Sequence, residues 1–291
     1  MILKVGILGN GNAAAKHRAA YAELPELFSV VEPTNADVID ICTPPHMHFP
    51  QANEWVWAKR HVIVEKPICG SLYEATELMV SERESGNRIC PIFQYRFATN
   101  LPPPSILHFS RSESYYAGWR GEWDTAIGGC LTSHGIHAID ALLHMYGPVD
   151  VVRCDFRMGA QVEDCASLAL RLVNPVAGTS VFPLMVLIDK QGGNTDLGDS
   201  HTGYVNQFRL IHEALTTGGP LPVTLAEARA SLEVLTAAYY SAYTGEPVTL
   251  PILPDHPFYQ GWSQHFALRS QQSAASRKTP GSPDRPIPAP A

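Results

Sequence analysis

The chain opens with a short apolar run, Ile2–Leu8, that leads straight into Gly9-Asn10-Gly11-Asn12-Ala13-Ala14 and then a helix-like segment from Ala15 to Leu24. Strand, G-x-G-x-x-A and helix in that order leave few folds open. Glycines let the backbone turn tightly and approach a pyrophosphate, while the helix N-terminus directs unpaired N–H groups and a partial positive charge at it. The order of the three pieces favours dinucleotide binding over a structural turn of small residues. Gly9, Asn10, Gly11, Asn12 and Ala13 are the expected cofactor contacts.

The same alternation continues downstream. Leu27–Val31, Val38–Cys42, His61–Val64 and Arg88–Phe93 read as strands, and His48–Arg60 reads as a helix. Ser71-Leu72-Tyr73-Glu74 has the form of a capping box opening a further helix, which Gly86 can close. Strands alternating with helices of this length predict a parallel, Rossmann-type α/β sheet. After Arg96 the character changes. Asn100–Ser105 carries three consecutive prolines and reads as a linker. Four strand-like runs follow (Ile106–Phe109, Val149–Phe156, Cys165–Val173, Thr179–Ile188), then two helices, Tyr204–Thr217 and Thr224–Tyr243, the second opened by Thr224-x-x-Glu227. Strands gathered together and then helices predict an α+β second domain. The expected division is 1–97, 98–262, and a tail over 263–291 that is Pro-rich from Lys278 and expected to lack a fixed fold.

Composition narrows the function classes. A chain of 291 residues with 45% hydrophobic and 17% charged residues has room for two cores. Its net charge of −7, with no basic cluster, argues against nucleic acid or a membrane surface as partner. No apolar run approaches the roughly 18 residues of a spanning helix, and Met1–Lys4 leads into the first strand without the form of a signal peptide. The six cysteines are scattered with no C-x-x-C pair, which predicts reduced thiols, no zinc site and a cytoplasmic setting.

Several residues carry chemistry. Glu32, at the end of the second strand, is spaced to hold the ribose 2′-hydroxyl of NAD, and no Lys or Arg lies between Arg18 and Lys59 to hold a 2′-phosphate. NAD is thus expected over NADP; a solvated strand-end glutamate is the alternative. Lys66, in Glu65-Lys66-Pro67, follows a strand whose end faces the cofactor crevice and can stabilise an alkoxide; a surface lysine is the alternative. A helix from Gly128 to Tyr146, with Thr132 as N-cap, places Ser133, His137, Asp140 and His144 on one polar stripe. A histidine there can pass a proton near neutral pH. It can equally be a satisfied core histidine, or belong to a metal site of His134, His137, Asp140 and His144, although that spacing matches no ligand pattern. Tyr115, Tyr116, Trp119, Arg120 and Trp123 form an aromatic group with one cation, suited to a sugar or to an ordinary core.

Taken together, these residues resemble the Gfo/Idh/MocA family of NAD(P)-dependent oxidoreductases, which act mostly on sugars, sugar acids and cyclitols. The shared blocks are Gly9-x-Gly11-x-x-Ala14, Asp40-Ile41-Cys42-Thr43-Pro44-Pro45-x-x-His48, Glu65-Lys66-Pro67, Gln94-x-Arg96-Phe97, Trp119-Arg120-Gly121, Gly128-Gly129…Gly135-Ile136-His137-x-x-Asp140 and His256-Pro257-x-Tyr259-x-Gly261-Trp262. The resemblance implies a Rossmann domain followed by an α+β domain whose open, mostly antiparallel sheet faces the nicotinamide and often mediates oligomerisation, hence a homo-oligomer. It implies that Lys66 orients the reacting hydroxyl and His137 is the acid/base. Thr43, Pro44, Pro45 and His48 would line the cofactor, with Glu65 and Lys66 near the nicotinamide ribose. Arg96, Trp119, Arg120, Ser133, His134 and Asp140 would contact a sugar-like substrate.

The chain departs from the family pattern in two places. Ser133 stands where many members carry an aspartate beside the histidine. Between Glu32 and Val38 the family has a helix, a strand and a helix, where this chain has five residues, Pro33–Asp37. Five residues span at most about 18 Å, while the diagonal over the intervening strand is about 19–20 Å. The link closes only with shortened strands and no covering helix. The expectation is therefore a first sheet lacking an edge unit, with the adenosine side of the site partly open. Segments 98–112 and 174–199 also look shortened. The leading reading is an NAD-dependent oxidoreductase of sugar-like substrates; the alternatives are a non-catalytic relative serving as a binding module and a metal-dependent hydrolase.

Overall fold

The apolar runs at the start of the chain form a parallel sheet. β1 (Leu3–Leu8), β2 (Phe28–Val31), β3 (Val38–Ile41), β4 (His61–Val64) and β5 (Ile89–Pro91) lie in the order β2-β1-β3-β4-β5. β3 is buried along its whole length, as a central parallel strand covered on both faces must be. Helices α1 (Asn12–Ala22), α2 (His48–Trp57) and α3 (Leu72–Ser85) connect these strands. In this computed structural model, residues 1–98, 105–159, 161–176, 178–189 and 194–268 are described. The expected proline linker, apart from Ser105, and the tail from Lys278 lie outside the described residues.

The step from β2 to β3 passes over β1 and consists of a single 3₁₀ turn, Pro33–Asn35. No helix or strand is inserted there, so the sheet ends at β2 as the reach argument required. The crossing depends on a residue that argument overlooked. A Cβ on Gly6 of β1 would lie 2.5 Å from the Cα of Pro33 and 3.1 Å from the Cβ of Ala36. An isolated glycine within a strand often marks such a close backbone approach. Asp37 then anchors the far end, its side chain accepting from the Lys4 N–H at 3.0 Å and its own N–H donating to the Lys4 carbonyl at 2.8 Å.

The second sheet contains β6 (Ile106–Ser110), β7 (Val149–Met158), β8 (Glu163–Val176), β9 (Thr179–Asp189) and β10 (Val248–Thr249), in the order β10-β7-β8-β9-β6. All its pairings are antiparallel except β6 with β9. A one-turn helix α4 (Trp123–Ala126), α5 (Ile136–Tyr146) and α7 (Leu225–Thr244) complete this half, and α7 touches both β7 and α3. The opposite face of this sheet leaves Ile106, Val181 and Met185 exposed. One helix returns to the first sheet: α6 (Ser200–Thr217) packs beside α1, so that Tyr204, Phe208 and Ile211 share a core cluster with Leu3, Val5 and Ile7.

The predicted caps are mostly formed. Thr224 and Glu227 make both halves of the capping box on α7. On α3 only half forms: Ser71 accepts from the Glu74 N–H, while the Glu74 carboxylate reaches past it to the Gly70 N–H at 2.7 Å.

Candidate active site

A cleft of about 880 Å³ separates the C-terminal ends of the first sheet's strands from the second sheet. On the first-sheet side it is lined by Gly9–Ala13, Lys16, Thr43–Pro45, His48 and Glu65–Pro67, and on the other by Phe109, Arg111, Tyr115, Tyr116, Trp119, Arg120, Ser133, His134 and His137.

Gly9 has φ +106°, and a Cβ there would meet the Cys42 carbonyl oxygen at 2.7 Å. Gly11 is the N-cap of α1; no side chain caps this end, and the space a Cβ would enter is open. The first-turn N–H groups are thus free for an anion, with Lys16 one turn further on the same wall. This cradle fits the pyrophosphate of a nicotinamide dinucleotide. Thr43, Pro44 and Pro45 continue the wall, with Thr43 Oγ1 donating to Gln51 at 2.7 Å. His48 places Nδ1 2.7 Å from the Pro67 carbonyl and Nε2 2.8 Å from the Thr43 carbonyl, pinning the β3 and β4 loops together. Burial lowers its pKa. Glu32 stands apart from the cleft wall: it is exposed and precedes the 3₁₀ turn, because the short crossing turns the chain over β1 directly after β2.

Lys66 extends from the end of β4 across the cleft and donates from Nζ to the Ser133 carbonyl at 2.7 Å. Burial lowers its pKa, against the opposing effect of the Glu65 carboxylate. The helix it reaches begins differently from expectation. Thr132 is not an N-cap; it lies inside a π-helical turn, Leu131–Gly135, that runs into α5. The capping is done from a distant strand. Glu163 of β8 accepts from the Gly129 N–H at 2.8 Å, from the Leu131 N–H at 3.2 Å and from the Tyr239 hydroxyl at 2.6 Å. A Cβ on Gly129 would collide with the Glu163 carbonyl, so the approach requires glycine. Full burial outweighs these donors and pushes the Glu163 carboxyl up to about 7.

The polar stripe on this helix divides between two sites. Ser133 Oγ donates to the Gly129 carbonyl at 2.6 Å and lies 2.7 Å from His134 Nδ1. Arg111 Nη2 donates to His134 Nε2 at 3.1 Å. A guanidinium only donates, so Nε2 of the neutral ring is bare and Nδ1 carries the proton; burial and neighbouring cations hold the His134 pKa well below its usual value. His137 lines the cleft with Nδ1 buried and unpartnered, its ring 4.7 Å from that of Tyr95. Burial, then the Lys66 charge, lowers its pKa well below the usual value.

Asp140 and Arg96, expected at the substrate, lie off the cleft wall and are spent on each other. Arg96 Nε and Nη2 grip the Asp140 carboxylate at 2.7 and 2.6 Å, and Nη1 reaches Glu227 at 2.7 Å. A bidentate buried pair of this kind ties α5 to α7. His144 is exposed. The stripe does not converge as a metal site; among the described residues the grouping of potential ligand atoms is His17, Asp40 and Cys42. Tyr115, Tyr116, Trp119 and Arg120 line the cleft, whereas Trp123 is buried and stacks on Phe266 at 4.7 Å.

Sequence reasoning missed a buried network beneath the cleft. His17 of α1 bonds Asp40 through Nδ1 at 2.8 Å and Glu65 through Nε2 at 3.1 Å. The Tyr21 hydroxyl donates to Asp40 at 2.9 Å and the Tyr204 hydroxyl to Glu65 at 2.8 Å, while the Lys66 N–H donates to Glu65 at 3.1 Å. Burial opposes the charge on His17, yet Asp40 and its other partners raise its pKa well above the usual value. The Glu65 carboxyl is held down at about 2, chiefly by His17 against its own burial. A signal was available: Asp40 is a carboxylate inside the apolar run 38–42, and a charge buried there needs a partner.

Comparison with known proteins places these features. Residues 4–93 match the model of an oxidoreductase family with an NAD-binding Rossmann fold, and residues 94–183 match the GFO/IDH/MocA C-terminal domain. An uncharacterized oxidoreductase of Synechocystis, sll0816, is 25% identical over 235 residues, covering 66% of this chain and 62% of that protein. The chain spans between 41% and 62% of the length of the curated relatives it matches. Among solved structures, the WlbA dehydrogenase from Bordetella pertussis, in complex with NADH and UDP-GlcNAcA, superposes with a TM-score of 0.77 at 20% identity, covering 87% of this chain and 99% of that one. Levoglucosan dehydrogenase, in complex with NADH and levoglucosan, superposes with a TM-score of 0.71 at 16% identity, covering 87% of this chain and 100% of that one. At these identities the superpositions speak for the fold, and the two family models account for most of the chain. With its uncapped glycine turn, its five-stranded parallel sheet and its second, mostly antiparallel sheet, the chain belongs to the Gfo/Idh/MocA family of NAD(P)-dependent oxidoreductases.

Proposed function

We propose that this chain is a dehydrogenase or reductase that uses NAD to interconvert a hydroxyl and a ketone on a sugar, sugar acid or cyclitol. The observation that carries the reading is the meeting of Lys66 and His137 in one cleft with the uncapped start of α1. A bound nicotinamide dinucleotide accepts or supplies the hydride. Lys66 donates a hydrogen bond to the reacting oxygen and stabilises the negative charge that develops there. His137, neutral because it is buried beside Lys66, takes the hydroxyl proton in oxidation and returns it in reduction. Glu65, held ionised by His17, Tyr204 and the Lys66 N–H, counterbalances the lysine from below.

NAD is favoured over NADP because no Lys or Arg occurs between Arg18 and Lys59 to hold a 2′-phosphate. Sugar-like substrates are supported by the aromatic wall of Tyr115, Tyr116 and Trp119 and by the ligands named for the two structural neighbours. The exposed apolar face of the second sheet supports a homo-oligomer. Among the described residues no helix is long and apolar enough to cross a membrane, and the six cysteines are unpaired, which supports a cytoplasmic setting.

The deciding experiment is calorimetric titration of the full chain with NADH and with NADPH. Micromolar binding with NADH preferred is the expected result, to be followed by a screen of sugars and polyols for NAD reduction. Failure of both cofactors to bind would overturn the assignment in favour of a non-catalytic relative.

A further inference from the structure

The charge on the cleft wall is one-sided. Lys16, Lys66, Arg111 and Arg120 line it, and Glu65 is its one carboxylate among the described residues. Glu65 is already occupied, accepting from His17, Tyr204 and the Lys66 N–H. Lys16 lies on the wall of the glycine turn, beside the cradle that fits a pyrophosphate. The two arginines stand on the opposite, second-sheet wall.

These arginines flank one ring. The guanidinium carbons of Arg111 and Arg120 lie 5.4 and 5.1 Å from the centroid of Tyr115, and each also covers a further ring, Phe109 at 5.3 Å and Trp119 at 4.5 Å respectively. Stacking fixes a guanidinium plane without neutralising its charge. Among the described residues the Arg111 side chain donates to neutral acceptors: the Ser110 carbonyl at 2.8 Å, Asn194 at 2.9 Å and His134 at 3.1 Å. Arg120 has no hydrogen-bond or ion-pair partner among the described residues. The contrast with Arg96 is direct, since that guanidinium is satisfied by two carboxylates, Asp140 and Glu227. Two oriented, partly buried forks without a counter-ion among the described residues match the geometry of a carboxylate or phosphate group.

We infer that Arg111 and Arg120, oriented by Tyr115, clamp an anionic group of the substrate, which makes the substrate an acidic sugar and not a neutral polyol. The inference deepens the proposed dehydrogenase reading and rests on it for the sugar. A neutral substrate would bury both guanidiniums without compensation, which the site would resist.

The test uses the full chain in calorimetry, with and without saturating NADH. D-glucuronate, D-galacturonate and D-gluconate form one arm, D-glucose 6-phosphate a second, and D-glucose and D-galactose the neutral controls. The expected result is at least one acid binding about tenfold or more tightly than its neutral parent, with the arm that shows it identifying carboxylate or phosphate. That difference should disappear in Arg120→Met and in Arg111→Met, while NADH affinity stays within about twofold. Arg120→Met removes no side-chain hydrogen bond among the described residues, so it tests the clamp even if Arg111→Met folds poorly. No acid preference, a preference that survives both substitutions, or a parallel loss of NADH affinity would overturn the clamp. An acid preference in a chain that binds no NADH would overturn the dehydrogenase reading alone.

Discussion

Lys66 Nζ and the Ser133 carbonyl oxygen are 2.7 Å apart, so the cation at the end of β4 is held against the π turn that leads into the His137 helix. That single hydrogen bond sets the spacing between the two proposed reacting groups. Replacing the lysine removes both the spacer and the proposed donor to the substrate oxygen. Lys66→Met is expected to lower kcat by about 10²–10³-fold, the usual effect of losing such a donor, while calorimetry shows NADH binding largely retained. Unchanged turnover would remove Lys66 from the mechanism.

His137 should act as a neutral base well into the acid range. Because its pKa is lowered well below the usual value, kcat/KM should hold steady as pH falls through 6.5 and decline only further down. Burial also lowers the Lys66 pKa below its ordinary value of 10.5, so the alkaline limb should begin before that point as the cation is lost. His137→Gln should cost about 10²–10⁴ in kcat and abolish the acid limb. An acid limb centred at the ordinary histidine value would contradict the buried, neutral ring.

Two glycines should separate stability from cofactor binding. Gly6→Ala places a Cβ 2.5 Å from the Pro33 backbone and should destabilise the fold by about 1–3 kcal/mol, as overpacking does. Gly11→Ala meets no atom within 4 Å and should leave the urea midpoint nearly unchanged, while weakening NADH binding by crowding the open cradle. Equal midpoints for the two variants would mean that the crossing over β1 relaxes freely.

The network around His17 should shape stability against pH from both sides. Glu65 is depressed from 4.5 to about 2, so its contribution is complete above 4.5 and is lost as pH falls toward 2. His17 is raised above 6.5, so its contribution is complete below 6.5 and is lost as pH rises through the raised value. Urea midpoints should therefore plateau between these limits and decline on the alkaline side. His17→Asn should flatten the alkaline decline and cost about 3–5 kcal/mol at pH 6, because two buried carboxylates lose their cation. An unaltered alkaline slope in the variant would show that His17 is not the titrating group.

The strands of the first sheet were legible because each is a short apolar run between turn residues; His61–Val64 falls where the pattern placed it. The helix ends carried by Gly86 and Thr224 were legible too, since such caps are local chemistry. What escaped is long-range. Thr132 looks like an N-cap when only its neighbours are considered, yet Glu163 reaches Gly129 across a separation of 34 residues. Arg96 and Asp140 are polar residues in shared blocks, and nothing in their spacing of 44 reveals that they satisfy each other. Arg111 was passed over because a single arginine near a strand end carries no signal until Tyr115 and His134 are placed beside it. The shortened crossing was read correctly from chain reach, but its enabling residue, Gly6, was visible only as an unexplained glycine inside a strand.

The return of α6 onto the first sheet makes the order of synthesis matter. β2 and β3 are joined through a link so short that closing it costs little chain entropy, and β1, β2 and β3 all lie within the first 41 residues. The face of that sheet bearing Val5 and Ile7 waits for Phe208 and Ile211. A nascent chain therefore holds a partly bare apolar surface until residue 217 has emerged, and it gains its full cover in the same step that brings Tyr204 to Glu65. Fragments ending before α6 should be sticky as well as inactive, because one helix both seals the fold and completes the floor of the cleft.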